Sequence, residues 1–130
     1  MTSATLASIL YVEDDADIQT VAQIALEVVG GFTLKTCVSG AQAIAEVNGG
    51  FVPDLLLLDV MMPNMDGPTT LAELRKIPST QNTPVIFMTA KVQSTEMEFY
   101  KSLGAIGVIA KPFDPMELST QVRSLWQEKP

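Results

Sequence analysis

Short apolar runs alternate along the chain with segments in which apolar residues recur every three or four positions. The apolar run Leu6 to Val12 comes first, and the helical spacing of Asp15 to Val29 follows it. Acidic residues in its first turn and glycines directly after Val29 mark the ends of that predicted helix. Further apolar runs predict strands at Thr33 to Val38, at Leu55 to Leu58 ending with Asp59, at Val85 to Met88 and at Gly107 to Ala110.

Helical patterns separate these runs. They predict helices at Ala41 to Val47, from Gly67 and Pro68 onward, at Ser94 to Leu103 and at Pro115 to Glu128. Five strands therefore alternate with five helices. Because such alternation requires crossover connections, it predicts an α/β fold, a doubly wound parallel sheet with helices on both faces. The 130 residues, 47% of them hydrophobic, suffice for one domain over residues 1–130.

Charged or hydroxyl residues follow four of the five predicted strands. Glu13 and Asp14 come after the first, Asp59 ends the third, Thr89 follows the fourth and Lys111 follows the fifth. Since the carboxyl ends of parallel strands share one edge of a sheet, these side chains are expected to lie together where ligands bind. A carboxylate at the end of a buried strand costs free energy unless its charge is used. Asp59 is therefore the first candidate functional residue.

Composition and charge reduce the number of possible function classes. The chain has 15 acidic and 8 basic residues, a formal charge of -7, and no Lys or Arg before Lys35. Binding to a nucleic acid backbone rests on neutralising phosphates and is not expected. The single cysteine, Cys37, lies in an apolar stretch and is expected to be a buried thiol in a reducing compartment. With no signal sequence and no apolar run near the roughly 18 residues of a membrane span, a soluble, cytoplasmic protein without membrane contact is expected.

Four segments of the chain, by their order and spacing, together match the sequence pattern of a known protein family. The whole chain resembles the receiver domain of bacterial two-component response regulators, including stand-alone members like the chemotaxis regulator. The resemblance implies a flavodoxin-like sheet of strand order 2-1-3-4-5 and a phosphorylatable Asp59. The segments are Ile9 to Asp15, Asp54 to Asp59 with Met62 to Gly67, Met88 to Ala90, and Gly104-Ala105 with Lys111 to Phe113.

The same resemblance implies a magnesium site. Carboxylates that lie close together repel each other unless a cation sits among them, and hard oxygen ligands suit Mg²⁺. By the family pattern, Asp14 and Asp59 bind Mg²⁺ directly, Glu13 binds it through water, and Met61 binds it through its backbone carbonyl.

The remaining site residues are implied to hold the phosphoryl group. Lys111 pairs with one phosphoryl oxygen, while the Thr89 hydroxyl and the Ala90 amide donate to others, so that transfer rests on positioning and charge stabilisation. The implied donor is a phosphohistidine on a histidine kinase or histidine phosphotransfer protein. The implied protein is a regulator and not an enzyme, with self-catalysed phosphoryl transfer and slow autodephosphorylation only.

Other interpretations stay open. Taken singly, Asp14 and Asp15 could cap the first helix, Asp66 could cap the third, and Thr89 and Lys111 could be ordinary surface residues. A Mg²⁺-dependent phosphohydrolase of the haloacid dehalogenase type needs a second acid two residues after its nucleophile, where Met61 stands. A flavodoxin-like cofactor module needs a glycine- or hydroxyl-rich loop after the first strand, and that loop is acidic here. A degenerate, never phosphorylated receiver is disfavoured because every chemical position is filled.

The sequence says less about how the domain passes a signal to its partners. Many receivers carry an aromatic residue where this chain has Val108, and acidic residues for dimerisation where it has Ile106 and Gly107. We therefore expect signalling through backbone shifts of residues 90–104. Met97, Phe99, Tyr100 and Leu103 on the fourth predicted helix, together with the last helix, predict a surface for a downstream protein. Whether the chain acts alone or belongs to a longer regulator stays open.

Overall fold

Five parallel strands form one sheet in the order β2-β1-β3-β4-β5, which confirms the predicted flavodoxin-like α/β topology. The computed structural model describes residues 5–129. From β1 the chain adds β2 on one side, and it adds β3, β4 and β5 on the other. A crevice for ligands is expected at the carboxyl ends of β1 and β3, where the strand order switches sides. The strands are β1 Ser8–Val12, β2 Thr33–Cys37, β3 Leu55–Asp59, β4 Val85–Thr89 and β5 Ala105–Ala110.

Helices connect the strands and cover both faces of the sheet. A π-helical segment, Ile24–Val29, continues α1, and a short 3₁₀ turn, Pro78–Thr80, precedes β4. The sequence pattern did not predict either of them. The helices are α1 Ala16–Gln23, α2 Gly40–Asn48, α3 Gly67–Leu74, α4 Ser94–Ser102 and α5 Leu118–Glu128. Within residues 5–129, no helix is both long enough and apolar enough to cross a membrane.

Two hydrophobic cores lie on opposite faces of the sheet. Successive residues along each strand contribute to opposite cores, because side chains in a β-strand point alternately to the two faces of the sheet. Ile9, Tyr11 and Leu57 face α1 and α5, whereas Leu10 and Leu58 face α2, α3 and α4. All five residues of β3 are buried, so Asp59 ends a strand that is covered on both sides. Trp126 packs in the α1–α5 core. Cys37 is buried in the other core, as predicted.

Two predicted helices differ from the structure, one in its first residue and one in its type. The last helix starts at Leu118, three residues later than predicted, because Asp114 holds the preceding residues in a turn: its carbonyl accepts from the Glu117 and Leu118 amides. The first helix was predicted to stay regular to Val29, but its second half is π-helical, with the Gly30 amide donating to the Ala25 carbonyl.

Two acidic residues cap the helices that flank the site. Asp15 accepts from the Asp17 and Ile18 amides at the start of α1, and Asp66 accepts from the Thr69 amide at 2.8 Å at the start of α3. Their roles as caps are confirmed. Between β3 and α3, a Cβ on Gly67 would lie 2.6 Å from the Asp59 carbonyl oxygen. Glycine thus allows α3 to begin directly against the strand end that carries Asp59.

Candidate functional site

Charged side chains from three strands meet at the carboxyl edge of the sheet. Glu13 follows β1, Asp59 ends β3 and Lys111 follows β5. The Lys111 Nζ donates to Glu13 Oε1 at 2.9 Å and to Asp59 Oδ1 at 3.1 Å. One lysine therefore bridges two acids that lie 46 residues apart in the chain, and the edge predicted from the strand ends forms.

Three carboxylates at this edge could hold a metal ion. One oxygen from each of Glu13, Asp14 and Asp59 lies within 4.8 Å of the other two. Glu13 is 1% exposed and Asp59 is 3% exposed, whereas Asp14 is exposed to solvent. The cluster is thus closed toward the core and open on the Asp14 side. An all-carboxylate donor set fits a hard divalent cation such as Mg²⁺.

Burial sets the electrostatics of the bridge. It raises the pKa of Glu13 and of Asp59, and hydrogen bonds from Lys111 only partly offset this effect. For Lys111, burial alone would lower the pKa, but the hydrogen bonds to both acids outweigh it, so its pKa is raised. The acids are therefore held at a cost in their charged form, and Lys111 stays positive.

This cost predicts an unusual dependence of stability on pH. In a metal-free buffer, the contribution of Glu13 and Asp59 to the free energy of unfolding should rise as pH falls from neutral. Their folded-state pKa values lie above the unfolded ones, so the contribution is full below the unfolded pKa and is lost as pH rises through the folded pKa. Urea denaturation across this range measures it. Asp59→Asn should flatten the profile, and identical profiles for both proteins would contradict the assignment.

The other predicted residues lie around the bridge. Thr89 ends β4, and its hydroxyl accepts from the Lys91 amide at 3.1 Å. Ala90 is exposed directly after it. Met61 lies on the loop after β3, and its side chain is 67% exposed. The Lys111 amide donates to the Thr89 carbonyl at 3.0 Å, which holds the ends of β4 and β5 together at the sheet edge. The Lys111 ammonium group bonds to Glu13 and Asp59 instead.

Comparison with known proteins decides the family. The model of the response regulator receiver domain matches residues 9–123, most of the chain. The chain belongs to the response regulator receiver domain family. The resemblance predicted from the sequence is thereby confirmed, and so is the strand order that it implied.

Relatives of this receiver domain are regulators. It is 36% identical over 126 residues to the transcriptional regulatory protein CpxR of Klebsiella pneumoniae, covering 93% of this chain and 52% of that protein. It is 32% identical over 120 residues to the CpxR homolog of Haemophilus influenzae, covering 92% and 50%. The chain thus spans about half the length of these curated relatives.

Solved structures agree on the fold. The chemotaxis protein CheY4 of Vibrio cholerae superposes with a TM-score of 0.84 at 26% identity, covering 93% of this chain and 99% of that chain. A response regulator described as putative, from Chloroflexus aurantiacus, gives 0.81 at 27% identity, covering 95% and 100%. Both likenesses extend over nearly the full length of each structure, so the receiver fold accounts for the whole described sheet.

Sequence patterns missed two supports of the receiver site. The Gln19 side chain donates to the backbone carbonyl of Glu13 and also to that of Cys37, which ties the ends of β1 and β2 together. The Asp15 amide donates to Glu13 Oε2 at 3.2 Å. Neither bond leaves a periodic signal, although the position of Gln19 one turn after the cap Asp15 is consistent with such a tie.

An apolar groove beside the receiver site was also missed. It has a volume of about 470 Å³ and opens between α1 and the segment after β5, and Lys111 is among its lining residues. Its lining comes from distant parts of the chain, so no single motif reveals it. The lining residues are Asp17, Ile18, Val21, Ala90, Lys111, Pro112 and Phe113.

Proposed function

We propose that this receiver domain is a phosphoacceptor switch in which Asp59 takes a phosphoryl group from a phosphohistidine. The observation that carries the proposal is the Lys111 bridge: a buried aspartate at a strand end, beside two further acids and one cation. This arrangement combines a nucleophile, a charge partner for phosphoryl oxygens and ligands for a divalent ion.

The reaction is a group transfer between two proteins. An Asp59 carboxylate oxygen attacks the phosphorus, the phosphorus–nitrogen bond of the donor breaks, and the imidazole nitrogen leaves with the electron pair and takes up a proton. Glu13, Asp14 and Asp59, with the Met61 backbone carbonyl, would hold Mg²⁺, whose charge offsets that of the phosphoryl oxygens. The product is an acyl phosphate on Asp59, which water hydrolyses slowly.

Lys111 and Thr89 change partners in this step. Lys111 exchanges its bonds to Glu13 and Asp59 for a phosphoryl oxygen. The Thr89 hydroxyl accepts a bond from Lys91 and donates none within residues 5–129, so its proton remains to be donated to the phosphoryl group. The Ala90 amide donates to another oxygen. Because the phosphoryl group adds about -1.5 to -2 charges, these exchanges bias the domain between two conformations.

The groove beside Lys111 supports docking of the phosphodonor. Ile18, Val21 and Phe113 give it an apolar lining next to Lys111, and Asp17 adds a charged side chain to the lining. We propose that a histidine kinase or phosphotransfer protein packs an apolar surface here, so that its phosphohistidine reaches Asp59 from the open side marked by Asp14.

Small phosphodonors test the central proposal without a partner. Incubation with acetyl phosphate and Mg²⁺, followed by intact mass measurement, should show one added phosphoryl group per chain. Omission of Mg²⁺ should strongly reduce the labelling. An unchanged mass of the wild-type protein under these conditions would overturn the proposed function.

We propose that the signal leaves the site through the segment before α4. The Lys91 amide is bonded to the Thr89 hydroxyl, so a shift of that hydroxyl toward a phosphoryl group pulls on residues 90–93. Val108, which is half-buried, is too small to swing between buried and exposed positions. The exposed surface that this movement would reach includes Phe99, which is 51% exposed on α4.

Substitution of two neighbouring aromatic residues on α4 can distinguish a role in packing from a role in partner binding. Tyr100 is 5% exposed and its ring lies 5.2 Å from that of Phe87, whereas Phe99 is largely exposed. Tyr100→Ala should lower the free energy of unfolding by about 3–5 kcal/mol because it leaves a cavity. Phe99→Ala should cost less than about 1 kcal/mol. Urea denaturation compares them, and an equal loss for both variants would make Phe99 a packing residue and remove it from the partner surface.

A further inference from the structure

Tyr11 places a hydroxyl in the middle of an apolar strand. Its side chain is fully buried, and its hydroxyl is the one buried side-chain polar atom without a hydrogen-bond partner within residues 5–129. Buried polar groups are nearly always bonded, because an unpaired one costs about 1–3 kcal/mol. A phenylalanine would fill the same space without that cost. The hydroxyl is therefore expected to have a function in a state of the protein other than the resting one.

Tyr11 lies on the same face of the sheet as Glu13 and Asp59. Tyr11 faces α1 and α5, and Glu13 lies two residues further on the same face, because its amide continues the ladder to the Cys37 carbonyl. Across the sheet, Tyr11 pairs with Leu57, two residues before Asp59. The tyrosine thus lies one step below both acids, on the side of the sheet that they occupy.

The surroundings keep this hydroxyl a donor. Burial raises the pKa of Tyr11, and the negative charges of Glu13, Asp59 and Asp15 raise it further. The hydroxyl is therefore protonated at any physiological pH. The charges that act on it belong to carboxylates, which can accept a hydrogen bond from a protonated hydroxyl.

Both Glu13 oxygens already accept bonds at rest. Oε1 accepts from the Lys111 Nζ and Oε2 from the Asp15 amide. The proposed phosphoryl transfer draws Lys111 toward the phosphoryl group, so Oε1 of a carboxylate that is 1% exposed loses a hydrogen-bond donor. The Mg²⁺ that Glu13 would help to hold offsets its charge, and a further hydrogen-bond donor to a buried carboxylate would add to that stabilisation.

We propose that the Tyr11 hydroxyl is a reserve donor, unpaired at rest, which donates to the Glu13 carboxylate when Lys111 moves to the phosphoryl group. The inference rests on the proposed function of Asp59. Tyr11 acts through Glu13 and is a positioning residue. Its resting cost is recovered only in the phosphorylated form, so the hydroxyl favours the active conformation.

Tyr11→Phe removes the hydroxyl and keeps the ring. In the resting protein, the free energy of unfolding should be unchanged or higher, since an unpaired polar atom is lost. With Mg²⁺ and beryllofluoride, a phosphoryl mimic, the affinity for the mimic should fall about tenfold, the size expected for a hydrogen bond to a charged group. The two measurements move in opposite directions, which loss of packing alone would not produce.

A matched control and a spectroscopic readout complete the test. The chain has two tyrosines, and Tyr100→Phe alters the one on the opposite face, so it should leave the affinity unchanged. In protein labelled with ¹³C at the tyrosine Cζ, the Tyr11 resonance should shift when the mimic binds. A lower resting stability of Tyr11→Phe, or an undiminished affinity, would overturn the reserve-donor role. Failure of the wild-type protein to bind the mimic would instead overturn the proposed function.

Discussion

Asp59→Asn is expected to abolish phosphoryl uptake from acetyl phosphate and Mg²⁺. The amide oxygen that replaces the carboxylate is a poor nucleophile and cannot form a stable acyl phosphate, and the carboxylate cluster loses one of its three ligands. Intact mass should show the full phosphoryl gain in the wild-type protein and none in the variant. Since asparagine has the same shape, the variant should remain folded at the end of β3.

Asp66→Asn is the matched control. Asp66 also follows β3, but it caps α3 and lies outside the carboxylate cluster. Asparagine caps helices about as well as aspartate, so folding and labelling should both be retained. Labelling of Asp59→Asn at the wild-type level would place the phosphoryl group elsewhere. Loss of labelling in Asp66→Asn, with Asp59→Asn unaffected, would exchange the roles of these two residues.

Local signals explain why the edge of the sheet could be predicted. Glu13, Asp59 and Lys111 each stand at the end of an apolar run, and parallel strands bring such ends together whatever their separation in sequence. The order of the strands could not be predicted from such local signals. It depends on which helix crosses which face, and it came from the family resemblance rather than from periodicity.

Features that depend on contacts between elements could not be predicted. The π-helical end of the first helix is tied to α5, where the Ser119 hydroxyl donates to the Ala25 carbonyl and the Arg123 guanidinium donates to the Gly30 carbonyl. These bonds join residues more than ninety positions apart. The unpaired state of the Tyr11 hydroxyl is equally invisible in sequence, since it depends on every neighbour in the α1–α5 core.

Lys111→Met is expected to destabilise the resting protein by about 3 kcal/mol at neutral pH, the cost of leaving buried charges without their partner. Methionine keeps most of the side-chain volume but donates no hydrogen bond, so Glu13 and Asp59 repel each other without compensation. Phosphoryl uptake should also slow by on the order of 10²-fold, because a donor to the phosphoryl oxygens is lost. Urea denaturation and timed mass measurements report the two effects.

The conditions that relieve this loss distinguish electrostatics from packing. Because burial raises the pKa of Glu13 and of Asp59, mildly acidic pH should protonate them and restore part of the stability of Lys111→Met. Mg²⁺ should restore part of it at neutral pH by replacing the missing positive charge. Lys101→Met, at an exposed lysine on α4, should change stability by less than about 0.5 kcal/mol. A loss in Lys111→Met that neither acid nor Mg²⁺ reduces would show that Lys111 stabilises the fold through packing, and that the acids do not depend on its charge.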